Sequence, residues 1–130
     1  MIMKNNQKFN TQRKFYLIMT LLTAAVIFYA STIETKAGVP SGFNLAMIYH
    51  AGVFFMFTFF LTLTVINRDS NLTKTLSIIL LISIIYAFTD ELHQLFVPGR
   101  FANLKDILTD LAGSVSALVP IVLLRKLKKV

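Results

Sequence analysis

Asp90, Glu91, His93, Gln94 and Arg100 fall within one short stretch, TDELHQLFVPGR, and Asp106 and Asp110 follow in NLKDILTDLAG. Carboxylates supply hard oxygen ligands for Mg²⁺ or Mn²⁺, and an imidazole can move a proton. A guanidinium clamps a phosphate or carboxylate through two parallel hydrogen bonds. All this follows directly on LSIILLISIIYAF, a run suited to an apolar environment. Asp90, His93, Gln94 and Val97 stand at i, i+3, i+4 and i+7, one stripe of a helix that continues through the motif. Glu91 is turned roughly 100° from Asp90 and shares a ridge with Leu95. Pro98, lacking an N–H, and Gly99, allowing a sharp turn, then end the helix and throw Arg100 back towards its end. On the next helix Asn103 is the expected N-cap, and Asp106, Asp110, Gly113 and Ala117 form a second stripe. Gly113 and Ala117 are small residues one turn apart, a pair that permits close helix contact. The two stripes are expected to face each other beneath Arg100, with His50, at the head of an earlier helix, as a third wall.

The elements that must hold these residues are four apolar runs, roughly residues 15–33, 45–66, 75–97 and 107–124. Each reads as a transmembrane helix, giving an all-α polytopic membrane bundle in a single domain, 1–130. Hydrophobic residues make up 55% and charged ones 15% of the chain, against about 25% charged in soluble domains. The balance favours lipid as the solvent. The first run has a basic start, but no small-residue cleavage site follows it, and it is expected to be retained. Cysteine is absent, which excludes disulfides and thiolate metal sites.

The net charge of +7 is a topology signal rather than a nucleic-acid signal. Lys4, Lys8, Arg13 and Lys14 precede the first run, and Arg125, Lys126, Lys128 and Lys129 follow the last. With four crossings, both tails and Arg68 and Lys74 share one side, leaving Lys36, Arg100 and Lys105 on the other. The positive-inside rule then puts both termini in the cytoplasm of a multi-pass protein of the cytoplasmic membrane. The motif faces outward.

Helix lengths sharpen this. The third run is free of charge only from Thr75 to Thr89, and the fourth only from Leu111 to Leu124. These cores reach roughly 21–23 Å, short of a hydrocarbon layer of about 30 Å. Both fall short at the outer end, where the charges lie. An ionisable group at that depth must face protein or a water-filled cavity, so a polar pocket open to the extracytoplasmic side is expected.

Plainer readings stand beside this one. Asp90 and Glu91 also fit a solvated helix end, and His50 a hydrogen-bonded interfacial or core imidazole. Arg100 also fits a neutralising partner for nearby carboxylates, and Asp106 a residue that simply favours a helix N-terminus. Asp110 is harder to explain so, standing about one turn deeper. FFMFTFF reads as packing and lipid-facing surface.

DELHQLFVPGR followed by LKDILTDLAG resembles the signature of the VanZ-like family of small bacterial membrane proteins. The matching positions are Asp90, Glu91, Gln94, Pro98, Gly99, Arg100, Asp106, Asp110 and Gly113, and more loosely His50 and Ser31. The chain has Met47 where the family often has Lys, and Ala51 where an aromatic is common. The resemblance implies a cell-envelope protein, its namesake being linked to resistance to the lipoglycopeptide teicoplanin.

Three functions fit. The first is engagement of an amphiphile, a lipid-linked envelope precursor or lipoglycopeptide, by Asp90, Glu91, His93, Gln94, Arg100, Asp106, Asp110 and His50. This reading needs no cofactor. The second is a metal-dependent hydrolase or transferase acting on a phosphate-bearing lipid. There Asp90, Glu91, Asp106 and Asp110 would hold Mg²⁺ or Mn²⁺, and Asp90, Glu91 and His93 are the candidate catalytic groups. The third is a non-catalytic structural or accessory subunit. Catalysis is left open, with binding the preferred reading. Lipid is the common partner, and an oligomer fits all three.

Overall fold

The computed structural model describes residues 2–33, 45–67 and 70–127, with side chains from Asn10 in the first helix and Ala46 in the second. Residues 34–44, which hold Lys36, lie outside the described residues, as do Arg68, Lys128 and Lys129. Four helices make up the described fold: α1 (Ile2–Ser31), α2 (Leu45–Val65), α3 (Leu72–Gln94) and α4 (Leu104–Leu127). Each contains a segment long and apolar enough to cross a membrane: Asn10–Ser31, Ala46–Val65, Leu72–Gln94 and Leu104–Leu127. The expected all-helical membrane bundle is what the chain forms.

Local chemistry sets the helix ends. Asn71 caps α3 by accepting from the Lys74 amide at 3.1 Å. Asn103 caps α4 through its side chain, which accepts from the Lys105 amide at 3.0 Å. α1 starts well before its apolar run, so its basic N-terminal segment is helical too. α3 ends at Gln94, short of Val97. The Phe96 and Val97 amides turn back to the carbonyls of His93 and Gln94 at 3.0 and 3.1 Å, closing tight turns. Arg100 N then donates to the Val97 carbonyl at 3.1 Å, with Pro98 second and Gly99 third in the turn. Gly99 has φ 77°, the left-handed conformation that a type II turn requires at its third position.

Two arginines pin the other end of the bundle. Arg13 donates from Nε and Nη2 to the Thr64 and Val65 carbonyls at 3.0 and 3.3 Å, satisfying the last turn of α2. Arg125 Nη2 donates to the carbonyls of Asn67 and Ser70 in the α2–α3 link at 2.9 and 3.2 Å. Arg13 and Arg125 thus gather at one end, and the Asp90–Asp110 region, with Arg100, lies at the other.

α2 and α3 each touch the other three helices, whereas α1 and α4 do not pack together among the described residues. The most extensive contact is α2 with α4. Gly113 makes it close: a Cβ there would collide with the Ala51 carbonyl. The small-residue stripe of α4 therefore serves a contact with α2, where the sequence suggested one with α3. The apolar core joins Ile27, Phe54, Phe57 and Ala87, with Tyr86 stacked on Phe57 at 4.9 Å and donating to the Ala24 carbonyl at 2.7 Å. Buried Thr58 and Ser83 bond to each other at 2.9 Å, so α2 and α3 also share a polar contact in mid-bundle.

Candidate functional site

The inward face of α3 carries Ile79, Ser83, Ala87, Asp90, Glu91 and Gln94, all buried. Asp90 and Gln94 stand one turn apart, as their spacing requires, and Glu91 turns inward with them while Leu95 stays exposed. Gln94 holds both acids, its Nε2 donating to Asp90 Oδ2 at 3.0 Å and to Glu91 Oε1 at 3.1 Å. Glu91 Oε2 accepts the Asn103 backbone N–H at 2.7 Å, a charge-assisted bond that ties α3 to the start of α4.

α4 contributes Asp110, which is fully buried. Its Oδ1 lies 3.0 Å from His50 Nδ1 on α2, the one ion pair among the described residues. The expected third wall is therefore present, and it contacts α4 directly. His50, Glu91 and Asp110 each offer a ligand atom within 4.8 Å of the others, one from each of three helices. Asp106, one turn earlier on α4, is half-buried and belongs neither to this trio nor to the cavity wall described below.

His93 stands apart from the acids. Its Nδ1 is 3.1 Å from Ser31 Oγ, and its ring lies against Phe28 with centroids 4.4 Å apart, so it faces α1. The helical angle explains this, since His93 is rotated by about 100° from Gln94. Arg100 also goes to α1: Nη2 donates to the Ala30 carbonyl at 2.8 Å and Nε to the Ile33 carbonyl at 3.1 Å. A third, long bond of 3.5 Å runs from Nη1 to Gln94 Oε1. Arg100 thus caps the C-terminal end of α1, where carbonyls lack helical donors and the helix dipole favours a cation. It forms no ion pair with Asp90 among the described residues.

These groups border a cavity of about 350 Å³. Asp90, Gln94, Arg100, His50, Tyr49 and Ser31 supply its polar wall, while Ile27, Ala30, Ala46, Val53 and Phe54 make it otherwise apolar. A second cleft of about 380 Å³ between α1 and α2 is lined by Thr23, Val26, Ile48, Gly52 and Met56, and shares Tyr49 and Val53 with the first. Tyr49 and the apolar wall from α1 were not singled out in the sequence, and Ser31 was named only through the family resemblance. Ser31, at the end of an apolar run, gives little chemical signal alone.

A model of the VanZ/LLP1 family matches residues 2–125. The chain belongs to the VanZ/LLP1 family. The match takes in α1, α2, α3, α4 as far as Arg125, and every candidate site residue of this VanZ/LLP1 protein. No curated protein and no solved structure matches it.

Proposed function

We propose that this VanZ/LLP1-family protein binds the charged head of an amphiphile in the outer leaflet of the cytoplasmic membrane, and so contributes to glycopeptide (teicoplanin) resistance. The occupant is a lipid-linked envelope precursor or a lipoglycopeptide. The observation that carries this reading is the pairing of two spaces. A cavity with Arg100, Asp90 and Gln94 in its wall adjoins an apolar cleft through Tyr49 and Val53. A polar head and its chain need such a pair of neighbouring environments.

The surroundings support an outer-leaflet position. Phe96 and Phe101, in the connection next to the site, are both 80% exposed, large apolar side chains that lipid would cover. Arg13 and Arg125 bind at the opposite end of the bundle, which the positive-inside rule assigns to the cytoplasm. Among the described residues three of the five Arg100 N–H groups are engaged, and the other two could serve an anionic head.

Susceptibility of a teicoplanin-sensitive host expressing the protein tests this reading. Wild type is expected to raise the inhibitory concentration. Arg100→Lys should abolish most of that rise, because one ammonium cannot cap α1 and fork onto a ligand at once. Lys105→Arg should leave it unchanged. Equal effects of the two substitutions, or no protection by wild type, count against the proposal.

A further inference from the structure

We propose that His50, Glu91 and Asp110 form a binding site for one divalent transition ion of the Zn²⁺ or Mn²⁺ class, at the junction of α2, α3 and α4. The site shares His50 with the cavity wall, but it stands whether or not an amphiphile binds there.

Geometry is the first ground. Each of three helices contributes one ligand atom, all within 4.8 Å of one another. Adjacent ligands on one ion with bonds of about 2.1 Å lie roughly 3.0–3.4 Å apart. The 3.0 Å between His50 Nδ1 and Asp110 Oδ1 therefore suits a shared ion as well as a hydrogen bond.

Unmet bonding capacity is the second ground. Asp110 is 0% exposed, and among the described residues its Oδ2 has no hydrogen-bond partner. Asp90 Oδ1, held beside Glu91 through Gln94, is buried and unpartnered as well. Buried carboxylate oxygens without donors are costly, and such groups call for a specific explanation. Charge points the same way. Asp90, Glu91 and Asp110 are all buried, while the three Arg100 N–H groups engaged among the described residues go to two backbone carbonyls and the Gln94 side-chain oxygen rather than to a carboxylate. Among the described residues, only His50 forms an ion pair with any of the three carboxylates. A dication between them would balance most of that charge.

The donor set narrows the ion. Mg²⁺ and Ca²⁺ favour all-oxygen shells, whereas one imidazole with two carboxylates fits Zn²⁺ or Mn²⁺. Supporting bonds are already in place: the Asn103 amide and Gln94 Nε2 hold Glu91 through its two oxygens, which fixes the carboxylate as outer-shell partners do.

The test uses the full chain in lipid nanodiscs, without an affinity tag, stripped by chelator and titrated with ZnCl₂ or MnCl₂. Saturable uptake of one ion per chain is expected, with at least a roughly tenfold loss of affinity in His50→Ala and in Asp110→Asn. Mn²⁺ also reports its ligands: pulsed electron spin resonance should show coupling to a single imidazole nitrogen. That coupling should persist in His93→Ala, the only other histidine having been removed, and vanish in His50→Ala. The wild-type and His93→Ala spectra decide the matter even if site variants fail to fold. No saturable uptake, an ion without nitrogen coupling, or coupling retained in His50→Ala would overturn the proposal.

Discussion

Glu91 is the acid that fastens two helices together. Its carboxylate accepts from Gln94 Nε2 and from the Asn103 amide, and it is only 2% exposed. Glu91→Gln keeps the volume but turns one acceptor into a donor that must face another donor. We expect a loss of about 1–3 kcal/mol in stability, read by thermal unfolding in nanodiscs. Faster exchange of the Asn103 amide should accompany it, and an unchanged amide would show that the bond matters little. The inward set was partly readable from spacing: Asp90 and Gln94 one turn apart predicted a shared face, and they share it. Glu91 was assigned to a different ridge, yet it is buried beside them. A helical wheel cannot foresee this, because the Asn103 amide that draws it inward comes from another helix. For the same reason Arg100, whose chemistry suggests a carboxylate partner, is found on the carbonyls of Ala30 and Ile33.

Gly113 decides how closely α4 approaches α2. Adding a Cβ would drive it into the Ala51 carbonyl, backbone that cannot rotate away. Gly113→Ala should therefore cost about 1–3 kcal/mol by forcing the helices apart. Gly52→Ala gives the contrast, since nothing lies within 4 Å of its added Cβ. That change should be neutral or stabilising by up to about 1 kcal/mol through helix propensity. Thermal unfolding of the pair measures the difference, and equal losses would show that the close approach is not what holds α4. Four apolar runs were enough to read four helices, because hydrophobic length needs no partner. Which helices touch was not readable: a small-residue stripe states that a close contact exists and is silent on its partner. The end of α3 was likewise placed too late, because turns after Gln94 close before Pro98 is reached.

Apart from Arg100 and Lys105, the described basic residues lie at the end of the bundle opposite the buried acids, and this separation predicts how the molecule lies in the membrane. The chain contains no cysteine, so single cysteines can be introduced without interference. Ala102→Cys, beside the site, should react in intact cells with a membrane-impermeant maleimide, whereas Ser70→Cys should react only after permeabilisation. The reverse pattern would invert the proposed orientation and remove the outer-leaflet reading with it. Binding itself is the more direct question. Teicoplanin titrated onto the protein in nanodiscs should bind saturably to wild type. Affinity should fall by roughly tenfold or more in Arg100→Lys, the loss of about one charge-assisted bond, and stay within about twofold in Lys105→Arg. An affinity indifferent to Arg100, or no saturable binding of either teicoplanin or a lipid-linked precursor, would contradict an amphiphile site in this cavity.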